Sequence, residues 1–263
     1  MIRALYSAAS GMTAQQLNVD NIANNLANAT TTGFKMRQAQ FEDLIYQNMV
    51  QPGAAAGQQT TIPSGLQLGL GTKAVSNEII FQQGALSQTS NPLDLAIQGN
   101  GFFQITLPSG QLAYTRAGSF QLNQNGNVVD ANGNALDPQI TLPVTAQNIT
   151  IAQDGTVSYT LPGQTTAQKA GQIQLANFQN PGGLNSSGNN LFLSTDASGD
   201  PQIGVPGGSE GLGTLAQGYI EQSNVDVVAE FVNLIQSQRA YEANSRVVKA
   251  ADEMYQQVNQ LTQ

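Results

Sequence analysis

The sequence predicts an α+β protein: a β-rich central domain inserted between N- and C-terminal helices that pair as an α-helical coiled coil. Three features carry this reading. Apolar residues recur at every seventh position near the C-terminal end, as Val227, Leu234, Tyr241, Val248 and Tyr255. The same spacing recurs near the other end, as Leu5, Met12, Val19 and Leu26. Between them lie short alternating runs separated by Asn-Gly, Ser-Gly and Asp-Gly pairs, the pattern of strands joined by tight turns. Residues seven apart sit nearly one above another on an α-helix, so each end carries a long stripe. Matching stripes at opposite ends of one chain are best explained by helices that pair.

Residues 1–33 form the first helical segment. Ala8, Ile22 and Ala29 fill the alternate heptad position, and Gly33 after Thr30, Thr31 and Thr32 is a stop signal. Residues 34–75 read as an extended or linker segment, with a short helix expected over Phe41–Met49 before Pro52 and Gly53 break regular structure. Residues 76–215 read as an all-β domain. Candidate strands are Glu78–Phe81, Leu93–Ile97, Phe102–Leu107, Leu112–Thr115, Ser119–Leu122, Asn148–Ile151, Thr156–Leu161, Gln172–Phe178 and Asn190–Leu193. Residues 179–213, rich in Gly, Asn, Ser and Pro, are expected to be surface loops. The C-terminal segment, 216–263, holds a helix from Ser223, where Ser223 and Asp226 fit a capping box. Phe231, Met254 and Leu261 join its apolar surface.

Bare stripes are costly. Each large apolar side chain left in water forgoes about 1.5–3 kcal/mol, so two uncovered stripes leave on the order of 10 kcal/mol unrealised, as much as a domain's stability. Pairing hides one face of each helix and assembly of many copies hides the rest. The termini are therefore expected to be poorly ordered in the monomer and to become helical on assembly, with Leu5, Met12, Val19, Ile22, Leu26, Val227, Phe231, Leu234, Tyr241, Val248, Met254, Tyr255 and Leu261 as the assembly interface.

Composition restricts the chemistry. The net charge is −8 with only nine Lys and Arg, which argues against nucleic acid and anionic membranes as partners. With neither Cys nor His in the chain, disulfides, thiolate nucleophiles, Cys/His zinc sites and imidazole triads are excluded. No apolar run approaches the roughly 18 residues of a membrane span. Residues 1–30 are amphipathic, without a signal peptide's continuous apolar region, so the protein is expected to be intracellular or exported without a cleaved signal. Asp130-Ala-Asn-Gly-Asn134 with Asp137 only loosely resembles a calcium loop, and a type I′ turn at Asn132-Gly133 explains it better. Gly71-Thr72-Lys73 has the wrong spacing for a phosphate loop, and Gly99-Asn-Gly101 reads as a turn. No catalytic residue, cofactor or metal is expected. The competing reading is a carboxylate-dependent glycan hydrolase, but nothing singles out two of the 17 carboxylates.

The run Asn21-Ile-Ala-Asn-Asn-Leu-Ala-Asn-Ala-Thr-Thr-Thr-Gly-Phe-Lys35 resembles the N-terminal signature of the flagellar rod and hook axial proteins, with Asn21, Asn24, Asn25, Asn28, Gly33 and Phe34 as its motif positions. Phe41-Glu-Asp-Leu-Ile-Tyr46, Gln51-Pro-Gly53 and Thr60-Thr-Ile-Pro-Ser-Gly-Leu66 are similar to the distal-rod branch of that family. Gln217-Gly-Tyr-Ile-Glu-Gln-Ser-Asn-Val225 and Gln238-Arg-Ala-Tyr-Glu-Ala-Asn244 extend the likeness to the C-terminus. The resemblance implies a structural subunit that self-assembles helically into a straight, hollow drive shaft crossing the periplasm in the flagellar basal body. A proximal-rod subunit is the near alternative. Implied partners are its own copies, proximal rod proteins, the hook protein, the P and L ring proteins and the flagellar type III export apparatus.

Overall fold

The computed structural model describes residues 2–52, 64–164, 166–208 and 211–261, apart from the side chains of Ile2, Asn259 and Leu261. Positions 53 and 60–63 of the sequence motifs quoted above lie outside these. The described residues fall into two compact units, one built from the chain ends with residues 37–78, the other from residues 28–36 and 79–225. An N-terminal helix and a C-terminal helix thus flank a β-rich region, as the periodicities predict.

In the first unit, helix α1 spans Ile2–Ala27 and helix α2 spans Val227–Leu261. Helix α1 ends short of the expected residue 33. Thr31 N and Thr31 Oγ1 both bond to Asn28, at 3.1 Å to its carbonyl and 3.2 Å to its side-chain oxygen, so a local side-chain turn displaces the helix before Gly33 is reached. Helix α2 also starts later than expected, because Asp226 alone caps it. Asp226 Oδ1 accepts from Val228 N at 2.9 Å and Ala229 N at 3.2 Å, whereas Ser223 Oγ accepts from Val225 N outside the helix.

Among the described residues, this unit also carries four strands. The short helix expected over Phe41–Met49 is not formed. Strand β1, Arg37–Asp43, instead pairs with β4, Thr72–Ile79, and β2, Tyr46–Val50, pairs antiparallel with β3, Leu66–Gly69. Gln40 Nε2 reaches Glu78 Oε2 at 2.8 Å and Thr72 Oγ1 donates to Glu42 O at 2.9 Å. Contacts with residues some thirty positions away override local helix propensity here.

The second unit carries sixteen strands: β5 Leu86–Gln88, β6 Leu95–Gln98, β7 Phe102–Thr106, β8 Leu112–Thr115, β9 Gln121–Leu122, β10 Val128–Val129, β11 Ala135–Asp137, β12 Gln147–Ile151, β13 Thr156–Thr160, β14 Gln168–Gln172, β15 Leu175–Asn177, β16 Asn185–Gly188, β17 Leu191–Leu193, β18 Gln202–Gly204, β19 Thr214–Gln217 and β20 Tyr219–Glu221. The main sheet runs β16-β17-β8-β7-β11-β10-β9, with β15 and β18 extending from β7. Strand β7 pairs with β8 along one edge and shares the other between β11 and β15.

Successive residues of these strands point to opposite faces, and the two faces are packed separately. Phe103, Ile105, Ala113, Leu175 and Leu191 enter one cluster with Leu95, Ile97, Phe120, Ile140 and Leu142. Phe102, Tyr114, Ala176 and Phe192 enter the other with Phe178 and Leu184. Edge-to-face ring contacts join Phe102 to Phe178, Phe192 and Phe81. Residues 179–213 are therefore not merely surface loops, since Leu184, Leu191 and Phe192 are core residues. Their Gly, Asn and Ser fill the turns between short strands too brief for composition to betray.

Asp130 closes the loop once compared with a calcium site. Its Oδ1 accepts from Asn132 N and Asn134 N, each at 2.8 Å, and its Oδ2 from Asn134 Nδ2 at 2.9 Å. The turn is not type I′, because Gly133 alone there has a positive φ, 85°. It is a wider loop with glycine at its single left-handed position.

Candidate assembly surface

Helices α1 and α2 run antiparallel and meet along residues that share the heptad spacing but not the apolar character. Asn18 Nδ2 donates to Ser237 Oγ at 2.8 Å. Asn25 Nδ2 reaches Glu230 Oε1 at 3.4 Å. A Cβ on Gly11 would lie 2.8 Å from Asn244 Nδ2. Gly11, Asn18 and Asn25 thus face Asn244, Ser237 and Glu230, seven residues per step on both helices. Ala251, one step beyond, is 2% exposed. Small side chains let the backbones approach, and two of the three steps are polar pairs, Asn18 with Ser237 and Asn25 with Glu230.

The expected interface residues divide around this seam. Ile22 is buried, and Leu5, Met12, Val19, Leu26, Leu234, Val248 and Tyr255 are half-buried. Val227, Phe231, Tyr241 and Met254 are exposed, and the side chain of Leu261 lies outside the described residues. With Val228, Val232 and Ile235, also exposed, Phe231 forms an apolar surface on the first turns of α2 that the helix pair leaves uncovered. A groove of about 400 Å³ lined by Gln16, Val19, Gln238, Tyr241 and Glu242 runs beside the seam. Periodicity analysis missed Glu230, Ser237, Asn244 and Ala251. Their spacing was available as a signal, but small and polar residues do not register as an apolar row.

The motif asparagines are anchoring groups. Asn25, 1% exposed, accepts from Arg37 N and donates to Arg37 O, both at 2.9 Å. Asn21 Oδ1 accepts from Asn77 Nδ2 at 2.8 Å. Asn24 is exposed and Asn28 half-buried. Burial holds the Glu230 carboxyl above the usual carboxylate range, with Asp226 adding to the shift and the Asn25 hydrogen bond opposing it.

In the second unit, Gly33, Phe34 and Lys35 meet the chain's return. Gly33 has φ 71°, and a Cβ there would lie 2.6 Å from Ala117 N, so the position demands glycine. Phe34 is half-buried. Lys35 Nζ is paired with Glu221 Oε1 at 2.5 Å, and Arg116 Nη1 stands 3.4 Å from Glu221 Oε2. Burial lowers the Lys35 ammonium from its ordinary value, opposed by Glu221 and assisted by Arg116.

Among the described residues no His, Cys, Asp and Glu group is placed to hold a metal ion, and no helix is long and apolar enough to cross a membrane. What these residues define is a helix pair whose polar seam faces inward and whose apolar surface on α2 is left exposed. Residues 5–35 match the family described as flagella basal body rod protein, residues 96–159 the flagellar hook protein FlgE/F/G D1 domain, and residues 216–261 the flagellar basal body rod FlgEFG protein C-terminal family. The flagellar basal-body rod protein FlgG of Buchnera aphidicola subsp. Schizaphis graminum is 51% identical over 99% of this chain and 100% of its own. That of Caulobacter vibrioides is 51% identical over 99% of both chains, and that of Borreliella burgdorferi 46% over 99% of both. The chain belongs to the flagellar basal-body rod protein family.

Proposed function

We propose that this chain is a structural subunit of the distal rod of the bacterial flagellum, assembling helically with its own copies into a straight hollow shaft that carries torque. The observation that carries this is similarity to FlgG proteins of several bacteria at about half identity, covering 99% of this chain and 99–100% of theirs. The helix pair and the uncovered surface of Val228, Phe231, Val232 and Ile235 support it, because that surface needs neighbours of complementary shape. In this reading α1 and α2 form a coiled coil, and Leu5, Met12, Val19, Val227, Phe231, Tyr241, Met254 and Leu261 pack against adjacent subunits. Proximal rod and hook proteins adjoin the shaft at its ends, the P and L rings surround it in the periplasm, and the type III apparatus exports the chain without signal cleavage. No catalysis is involved.

Electron microscopy of the purified full chain under polymerising conditions tests this. Straight tubes are expected, lost on deleting residues 1–30 or 225–263 while the β-rich unit stays folded. Persistent monomers, or tubes unaffected by the deletions, would overturn the reading.

A further inference from the structure

Glu221, the last residue of β20, joins three separate passages of the chain. Its Oε1 accepts from Lys35 Nζ and from Gly84 N at 2.9 Å, its Oε2 faces Arg116 Nη1, and its backbone oxygen accepts from Gly33 N at 2.8 Å. Lys35 Nζ also donates to Gln82 O at 2.8 Å, and Arg116 Nη2 to Gly99 O at 2.8 Å. Three residues on, Asn224 repeats the pattern. Its Oδ1 accepts from Met36 N at 2.7 Å and its Nδ2 donates to Ile80 O at 2.8 Å. Residues 33–36, where the chain first leaves this unit, residues 80–84, where it returns, and residues 221–224, where it leaves for the last time, are thus bound together by two side chains.

The ordinary sheet contacts here are slight. Strand β20 pairs with β5 over three residues only, Tyr219 with Gln88, Ile220 with Ser87 and Glu221 with Leu86. So short a ladder opens one bond at a time when pulled from its end. The charge cluster does not, because withdrawing Glu221 leaves two buried cations, Lys35 and Arg116 at 2% and 3% exposure, without the carboxylate that, among the described residues, alone pairs with them.

We propose that Glu221 is a mechanical latch: it locks together the points where the chain enters and leaves the β-rich unit, so that load on the flanking segments is resisted there all at once rather than by strand-by-strand peeling. This rests on the torque-carrying function proposed above, but its test uses a single chain, so its failure is separable from failure to form a rod.

The chain's lack of cysteine permits Gln38→Cys and Gln222→Cys as attachment points for pulling the full chain, both positions being exposed. The parent is expected to open in a single all-or-none step. With Glu221→Gln added, the chain ends should separate in an earlier step that leaves β7 and β8 folded, and the closed lifetime at constant force should fall by at least roughly a hundredfold. One step with unchanged lifetime overturns the latch, as does a parent that already peels in stages. Should Glu221→Gln not fold, the triple variant Lys35→Met/Arg116→Met/Glu221→Leu, which buries no charge, replaces it. Early separation of its ends supports the proposal, and a parental single step overturns it.

Discussion

Asn25 Nδ2 lies 3.4 Å from Glu230 Oε1 across the helix pair, and the second carboxylate oxygen of Glu230 is buried with no hydrogen-bond partner among the described residues. A carboxylate held this way is destabilising when ionised, since burial removes more hydration than one long hydrogen bond restores.

Glu230→Gln is therefore expected to stabilise the helix pair at neutral pH, on the order of 1 kcal/mol. The sign follows from linkage. The folded carboxyl's affinity for protons is raised, so between its ordinary and raised values the folded state binds more protons and the parent gains stability as pH falls. The advantage of Glu230→Gln should thus shrink on acidification and vanish below the ordinary carboxylate range. Urea unfolding followed by helix circular dichroism from pH 3 to 8 measures it, and a pH-independent difference would contradict it.

Asn18 and Ser237 should be energetically coupled. Their bond at 2.8 Å predicts a coupling of about 0.5–1.5 kcal/mol between Asn18→Ala and Ser237→Ala in a double-mutant cycle. Strict additivity would show that the seam holds by shape alone.

Gly11→Leu should be worse than Gly11→Ala. The three atoms nearest to a Cβ there belong to the Asn244 side chain, whose end can shift for a methyl group but not for an isobutyl group. Overpacking by Gly11→Leu is expected to cost about 1–3 kcal/mol in denaturant unfolding.

Gly33→Ala should destabilise the β-rich unit by about 2–3 kcal/mol, because a left-handed backbone and contact with the Ala117 main chain act together. A lower urea midpoint with unchanged slope is the expected readout. At Gly188, also left-handed but with open space around it, the same change should cost about 1 kcal/mol.

Lys35 predicts an alkaline effect of opposite sign to that of Glu230. Its folded affinity for protons is lowered, so between that value and the ordinary 10.5 the unfolded chain holds more protons and the parent gains stability as pH rises. The parent's stability relative to Lys35→Met should climb across this window. A flat difference would mean that Glu221 fully offsets the burial.

Much was legible in the chain. Helices at both ends, the turn glycines Gly101, Gly110, Gly126 and Gly155, and the β-rich middle all follow from signals spanning a few residues. The short helix expected over Phe41–Met49 misled because β1 and β4 pair across a separation that no window spans, and residues 179–213 because Leu184, Leu191, Phe192 and Leu212, all buried, are diluted by turn formers.

Periodicity and turn chemistry are local, so the sequence alone determined that the ends are helical, that they repeat by seven, and that no thiol or imidazole chemistry is available. Only the tertiary structure decided which heptad row faces inward. It chose Glu230, Ser237, Asn244 and Ala251 over the bulkier row of Val227, Leu234 and Tyr241, because close backbone approach rewards small side chains and matched polar pairs. It likewise brought Lys35, Arg116 and Glu221 together, since a buried charge is tolerated only where the fold delivers its counter-charge.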